Sequence, residues 1–297
     1  MRRAATLFVD CRCFLGEGIV WWAAHRALVW TDIERSRLWL HDAAGDRSWP
    51  LPSRLGSLAP CRSGALLLGL EAGLARAELD RGGDDAPRLT PLADVERDLP
   101  ATRLNDGRTD RSGNFVFGTM NQADGHPPEG SFYQWSARHG LRRLALPKVG
   151  IANSICFSPD GGTMYFCDSP RRQIMRCAYD ADAAAVADIR PFASLAPADG
   201  QPDGSIVDAD GCLWNAAWGA GAVRRYRPDG TLDLEVSVPA KNPTCPVFGG
   251  DGLHELFVTT ARQDMSAEEL QRTPEAGGVY RAAIAGVAGL PDALFVD

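Results

Sequence analysis

Short apolar runs broken by turn residues dominate the chain. Ala27–Asp32, Ala65–Gly69, Asn114–Gly118, Thr163–Cys167, Cys212–Asn215 and Leu256–Thr260 carry β-branched, aromatic and aliphatic side chains. Most follow a turn signal such as Ser63-Gly64, Ser112-Gly113, Asp160-Gly161-Gly162, Asp210-Gly211 or Asp251-Gly252. Runs of this kind, bounded by Gly, Asp and Ser, read as strands of an all-β chain. Helical periodicity is weak, and Ser266–Arg272 is the best candidate for a short surface helix.

The strands recur as a unit: an apolar strand, an Asp-Gly-type turn, a second strand ending in small or polar residues, then a third strand. Ile155–Asp168, Ser205–Ala216 and Gly107–Gly118 illustrate it. Analogous starts fall near Glu17, Ser57, Asn105, Asn153, Asp203 and Thr244. The spacing is roughly 40 to 50 residues, the period of a propeller blade. Six such units fill residues 1–297 as one six-bladed β-propeller, with nothing left over for a second domain. A β-sandwich or jelly roll is the alternative, and the regular repeat argues against it.

Composition narrows the function. With 45% hydrophobic and 23% charged residues, eight Trp and eleven Phe, the chain has material for a core and is not disordered. A formal net charge of −7, with arginines scattered among acids, opposes nucleic acid and anionic membranes as partners. The eight cysteines form no C-x-x-C pair and several sit in apolar runs, which reads as reduced core thiols in a cytoplasmic protein. The apolar stretch Ala4–Val9 is cut off by Asp10 and Arg12 before it reaches the length of a signal-peptide core.

Four polar clusters occupy the start of an inner strand: Leu15–Gly18, Arg103–Gly107, Ile151–Ser154 and Gln201–Gly204. Inner strands line a propeller's channel, so Glu17, Asn105, Asn153 and Asp203 would bring two carboxylates and two amides to one point. Oxygen ligands of this kind suit Ca²⁺, Mg²⁺ or Mn²⁺, and Zn²⁺ also accepts carboxylates. Each Asx-Gly taken singly is an ordinary turn. No G-x-S-x-G, H-E-x-x-H, P-loop or dinucleotide fingerprint is present, and the five histidines read as surface residues. Trp218, in Ala217-Trp218-Gly219, reads either as an aromatic wall for a sugar or as rim packing.

On these clusters the chain resembles the senescence-marker-protein, gluconolactonase and luciferin-regenerating-enzyme family, also called regucalcin-like. Leu15–Gly18, Asn105–Gly107, Gly118–Met120, Ser158–Asp160, Asp168-Ser169, Pro202–Gly204 and Leu213-Trp214 carry the resemblance. Phe248–Gly250, Thr259–Arg262 and Ala276–Val279 extend it through the last unit. It spans essentially the whole chain in collinear order and is nearest the bacterial sugar lactonases. The resemblance implies one divalent metal ion on Glu17, Asn153 and Asp203, with Asp203 also the general base. It implies that Arg103 contacts the sugar and that Asn105 contacts the substrate or, through water, the metal.

Three departures stand out. Ile19 replaces the usual Pro, Ser154 replaces a Gly, and Asn121-Gln122 stands where many members carry a substrate-contacting Glu. Gln122 is the expected substitute for that Glu. The expected reaction is hydrolysis of a sugar lactone in bacterial sugar catabolism, in which the metal polarises the carbonyl and Asp203 deprotonates water. A calcium-dependent phosphotriesterase and a non-catalytic calcium-binding propeller are the rival readings.

Overall fold

The computed structural model describes residues 3–80 and 85–297. Six sheets stand in a ring and form a six-bladed β-propeller. The innermost strands, blades one to six in order, are Gly16–Trp22, Leu55–Pro60, Thr102–Thr109, Ala152–Phe157, Gln201–Val207 and Asn242–Gly249. They begin at the positions the repeat marks. Each blade has four antiparallel strands rather than the three that the sequence suggests. The missing ones are outer strands such as Arg88–Asp94 and Ala185–Ser194, whose side chains are mostly exposed and so carry little apolar pattern.

The ring is closed by the chain's beginning. Thr6–Val9 is the outermost strand of blade six, antiparallel to Val279–Ala283. Arg3-Ala4 adds a short parallel edge to Leu232–Ser237 of blade five. The stretch judged too short for a signal core is therefore a closing strand, and it ties the first and last blades without a covalent link. At the far ends of the inner strands the C-terminal segment crosses the channel. Asp292 pairs with Arg108 at 2.7 Å, Phe295 is buried between blades two and three, and Val296 N–H bonds to Gly113 O at 3.0 Å.

There is no single core. Apolar side chains pack in six wedges, one between each pair of neighbouring blades. Trp22, Leu40 and Trp49 face Leu55, Leu66 and Leu68 between blades one and two. Ile19, in place of the family's Pro, is fully buried against Val247 and Phe257 of blade six. All eight cysteines are free, and all but Cys11 are buried. Ala267–Arg272 is the expected surface helix, opened by a reciprocal Ser266–Glu269 capping box.

Pairing between the inner strand and its neighbour breaks once in every blade. The breaks lie between Glu17 and Val20, Leu55 and Ser57, Leu104 and Gly107, Asn153 and Cys156, Pro202 and Ser205, and Pro243 and Pro246. Bulges bend a strand and re-aim its side chains, and they gather beside functional sites. Glu17 and Asn153 are the last paired residues before their breaks, while Asn105 and Asp203 fall inside theirs. The four clusters are thus offset by one residue between blades, not strictly in phase.

The bulge also explains the Gly-to-Ser departure. Gly18 has φ 59° and Ser154 has φ 59°, in equivalent places one residue past Glu17 and Asn153. A left-handed conformation costs a non-glycine residue about 1–2 kcal/mol. Ser154 offsets that cost through its hydroxyl, which donates to Asp203 O at 2.6 Å and accepts from Asn215 Nδ2 at 3.2 Å. Ser154→Ala keeps the strain and loses the bonds, so we expect a loss of about 1–3 kcal/mol. Ser154→Gly relieves the strain and should remain closer to wild type. Urea denaturation of the two variants checks the order; an alanine variant as stable as wild type would refute this account.

Candidate active site

A cavity of about 430 Å³ opens where the inner strands begin, and Glu17, Arg103, Asn105, Asn153, Asp203 and Trp218 all line it. Acidic caps fix the approach to two of these strands. Asp32, at the end of blade one's second strand, accepts from Phe14 N and Leu15 N at 2.9 and 3.1 Å, just ahead of Glu17. Asp168 does the same in blade four, accepting from Gly150 N and Ile151 N at 3.1 and 3.0 Å, ahead of Asn153. Blade five uses a different device: Asp203's own carbonyl accepts from Ser154 Oγ and from Asn215 Nδ2, the latter at 3.0 Å.

A one-way chain of hydrogen bonds then sets the amides. Arg103 Nη1 donates to Asn105 Oδ1 at 2.8 Å, and Asn105 Nδ2 donates to Asn153 Oδ1 at 3.0 Å. Asn153 Nδ2 donates to Ser169 Oγ at 2.9 Å, and that hydroxyl donates to Pro202 O at 2.7 Å. A guanidinium only donates and a carbonyl only accepts, so both ends force the direction of every link. Asn105 spends its second N–H on Ala152 O at 2.9 Å. Ser169, which the sequence reading left without a role, is the link that turns the Asn153 oxygen inward.

The carboxyls are crowded. Glu17 and Asp203 lie within hydrogen-bonding range of each other. Burial pushes the Glu17 carboxyl up to about 8, aided by the charge of Asp106 and opposed by Gly18 N–H, Asp203 and Arg103. Asp203 is raised too, by burial first, then by the charges of Glu17 and Asp106. Asp106 belongs to the Arg103–Gly107 cluster, but nothing in the sequence assigned it a role of its own. Its carboxyl accepts from Ile155 N at 2.8 Å and is pushed up to about 6 by loss of solvent. Arg103 is 4% exposed, and desolvation lowers its pKa to about 10.

This donor set fits a hard divalent cation. Two carboxyls and an oriented amide oxygen converge in a place where like charges raise one another's proton affinity. Among the described residues, no three His, Cys, Asp or Glu side chains could hold an ion, so the Asn153 amide is needed to complete the set.

The mouth departs further from expectation. Gln122 is not on the cavity wall; its side-chain oxygen accepts from Arg54, which also pairs with Glu71 and lies 3.5 Å from Glu34. Trp218 ends the strand Leu213–Trp218 and packs beside Leu15, Ile33 and Ala261. His126, Gln201 and Asp264 line the cavity as well, so one of the five histidines is a site residue rather than a bystander. The polar, loop-like context of His126 in the sequence gave no sign of this.

Comparison with known proteins agrees with this architecture. An L-arabinolactonase of Azospirillum brasilense is 48% identical over 281 residues, covering 93% of this chain and 90% of that protein. A 6-deoxy-6-sulfogluconolactonase of Pseudomonas putida is 33% identical, covering 95% and 94%. The crystal structure of a calcium-binding protein, regucalcin, from Agrobacterium tumefaciens superposes with a TM-score of 0.91 at 32% identity and covers 99% of both chains. The profile described as SMP-30/Gluconolactonase/LRE-like region matches residues 15–262. With Glu17, Arg103, Asn105, Asn153 and Asp203 all inside that span, the chain belongs to the SMP-30/gluconolactonase/LRE-like family.

Proposed function

We propose that this protein hydrolyses a sugar lactone to its aldonic acid, using one divalent cation held by Glu17, Asn153 and Asp203. The observation that carries the reading is the meeting of two crowded carboxyls and an oriented amide on the wall of one cavity. The lactonases among its relatives supply the substrate class. The higher identity to an L-arabinolactonase favours a five-carbon aldonolactone over a six-carbon one, in keeping with a role in bacterial sugar catabolism.

Lactone opening adds water to the ring carbonyl carbon and breaks the ring C–O bond, leaving a carboxylate and a hydroxyl. When bound, a divalent cation polarises a carbonyl and makes water more acidic. A carboxylate oxygen of Asp203 takes the proton of the attacking water. Burial and its neighbour Glu17 raise its proton affinity before the cation binds, and beside the charge of the cation it stays ionised and able to act as the base. Arg103 donates to the ring's oxygens, while Asn105, with both N–H groups spent, positions Arg103 and Asn153, and the bonds through Asn153 and Ser169 keep them from turning. The C-terminal segment across the far end leaves the cavity mouth as the way in.

The test is a screen of pentono- and hexonolactones and an organophosphate triester, after chelation and with added Ca²⁺, Mg²⁺, Mn²⁺ or Zn²⁺. The reading expects cation-stimulated opening of a pentonolactone above the spontaneous rate. Turnover of the triester alone, or of nothing, would discard it. Asp203→Asn should lower kcat by about 10²- to 10⁴-fold with an unchanged thermal midpoint; a variant with wild-type kcat would remove Asp203 from the chemistry.

Cation binding should also depend on pH. With Glu17 pushed up to about 8, the cation-free site holds a proton at neutral pH that binding must displace. Affinity therefore rises as pH is raised from about 6 to about 8, by up to tenfold per unit for one displaced proton. Calorimetric titrations in buffers of different ionisation enthalpy would reveal the released proton, and affinity that is flat over this range would contradict the argument.

A further inference from the structure

The loop 122–130 reaches the cavity mouth directly after blade three's second strand, Phe115–Asn121. Asn121 holds the same end-of-strand place as Asp32 and Asp168, but it does not cap an inner strand. Its Oδ1 accepts from Ala123 N at 2.8 Å, and its Nδ2 donates to Glu129 Oε2 at 2.8 Å. One buried amide thus fastens both ends of the loop. Between those ends His126 adopts φ 45°, and its N–H bonds to Ala123 O at 2.9 Å. Its carbonyl lies against Gly150, where a Cβ would come within 2.4 Å of His126 O. The loop is therefore set against its neighbours rather than free to swing.

His126 lines the same cavity as Arg103 and Asp203. Its Nδ1 lies 2.7 Å from Asn121 O. A backbone carbonyl can only accept, so Nδ1 carries the hydrogen, and in the uncharged ring Nε2 is then a lone-pair acceptor. Each hydroxyl of a sugar lactone has one hydrogen to donate. On this side of the mouth Gln122 is not placed to accept it, because it is off the cavity wall with its side-chain oxygen turned to Arg54. Arg103 can only donate.

We propose that His126 is a specificity-determining residue whose Nε2 accepts a hydrogen bond from a ring hydroxyl of the lactone. This rests on the sugar-lactone reading. It assigns to a histidine from a different part of the loop the hydroxyl contact expected of Gln122. Because the contact lies away from the carbonyl, it acts on ground state and transition state alike and shows mainly in KM. A site built to accept from a hydroxyl discriminates against the analogue that lacks it.

The test compares His126→Phe, which keeps a flat ring without the acceptor, with His126→Gln, which restores a polar tip. Substrates are a pentono-1,4-lactone, its monodeoxy analogues and hydroxyl-free γ-butyrolactone. His126→Phe should raise KM on the hydroxylated lactone about 5- to 20-fold with kcat nearly unchanged, consistent with one hydrogen bond. It should leave γ-butyrolactone unaffected, lose its penalty on one particular deoxy analogue, and be largely rescued by His126→Gln. An equal penalty on γ-butyrolactone, or none on any substrate, would overturn the proposal.

A second measurement does not need turnover. Imidazole ¹⁵N spectra of a protein with five histidines are assignable by deletion of one. The resonance lost in His126→Phe should show the Nδ1–H form, and its Nε2 should shift on adding the aldonate product. An Nε2–H ring, or no shift at saturating aldonate, would overturn the proposal even if every lactone assay failed. Failure of all lactones with a normal Nε2 response would count against the lactonase reading alone.

Discussion

Too many carboxyls share one buried place, and the rest of the site is arranged around that excess. Glu17, Asp203 and Asp106 interact with one another, and Arg103 is the cation that bears on Glu17. Burying like charges together is costly unless a proton or a cation intervenes. A fold gains nothing in stability from such a cluster, and its apolar wedges lie elsewhere, between the blades. The cluster persists because each member is fastened by its own strand, with a bulge to aim it and hydrogen bonds to hold it.

The same ring that crowds the carboxyls makes their placement precise. Each inner strand packs against the inner strands on either side as well as its own blade, so each side chain is fixed by local bonds and the set by closure of the circle. The path from Arg103 to Pro202 crosses blades three, four and five and never reverses. Ser154 adds a second tie between blades four and five at the cost of a left-handed backbone. Closure depends on Thr6–Val9, the partner most distant in sequence from the strand it joins.

Much of this was legible in the sequence, because inner strands are buried on both faces and announce themselves as apolar runs after turns. Their six starts, the clusters at Glu17, Asn105, Asn153 and Asp203, and the helix after Ser266 could all be read from local pattern. Outer strands could not: Arg88–Asp94 and Ala185–Ser194 face solvent, so nothing alternates. The closing strand was hidden because pairing across the whole length of a chain leaves no local trace. Asp106 stood inside a marked cluster, but nothing in the local pattern told its role apart from that of Asn105 beside it. The one-residue offset between clusters was invisible because the bulge that absorbs it is a backbone event.

The mouth was the least legible part, for a physical reason. The floor is built from strands whose side chains are fixed by register, whereas the mouth is built from loops whose contacts depend on partners distant in sequence. Gln122 stands at the expected place after Gly118-Thr119-Met120, but Arg54 of blade two has already engaged it. His126 reaches the wall only because Asn121 folds the loop back and Gly150 leaves room for its carbonyl. The division has a functional consequence. On the roles proposed above, substitutions among the inner-strand bulges alter whether the bond is broken, while substitutions in the loops alter which lactone is admitted. A loop can change its residues without disturbing the crowded carboxyls beneath it, so one floor can serve several sugars.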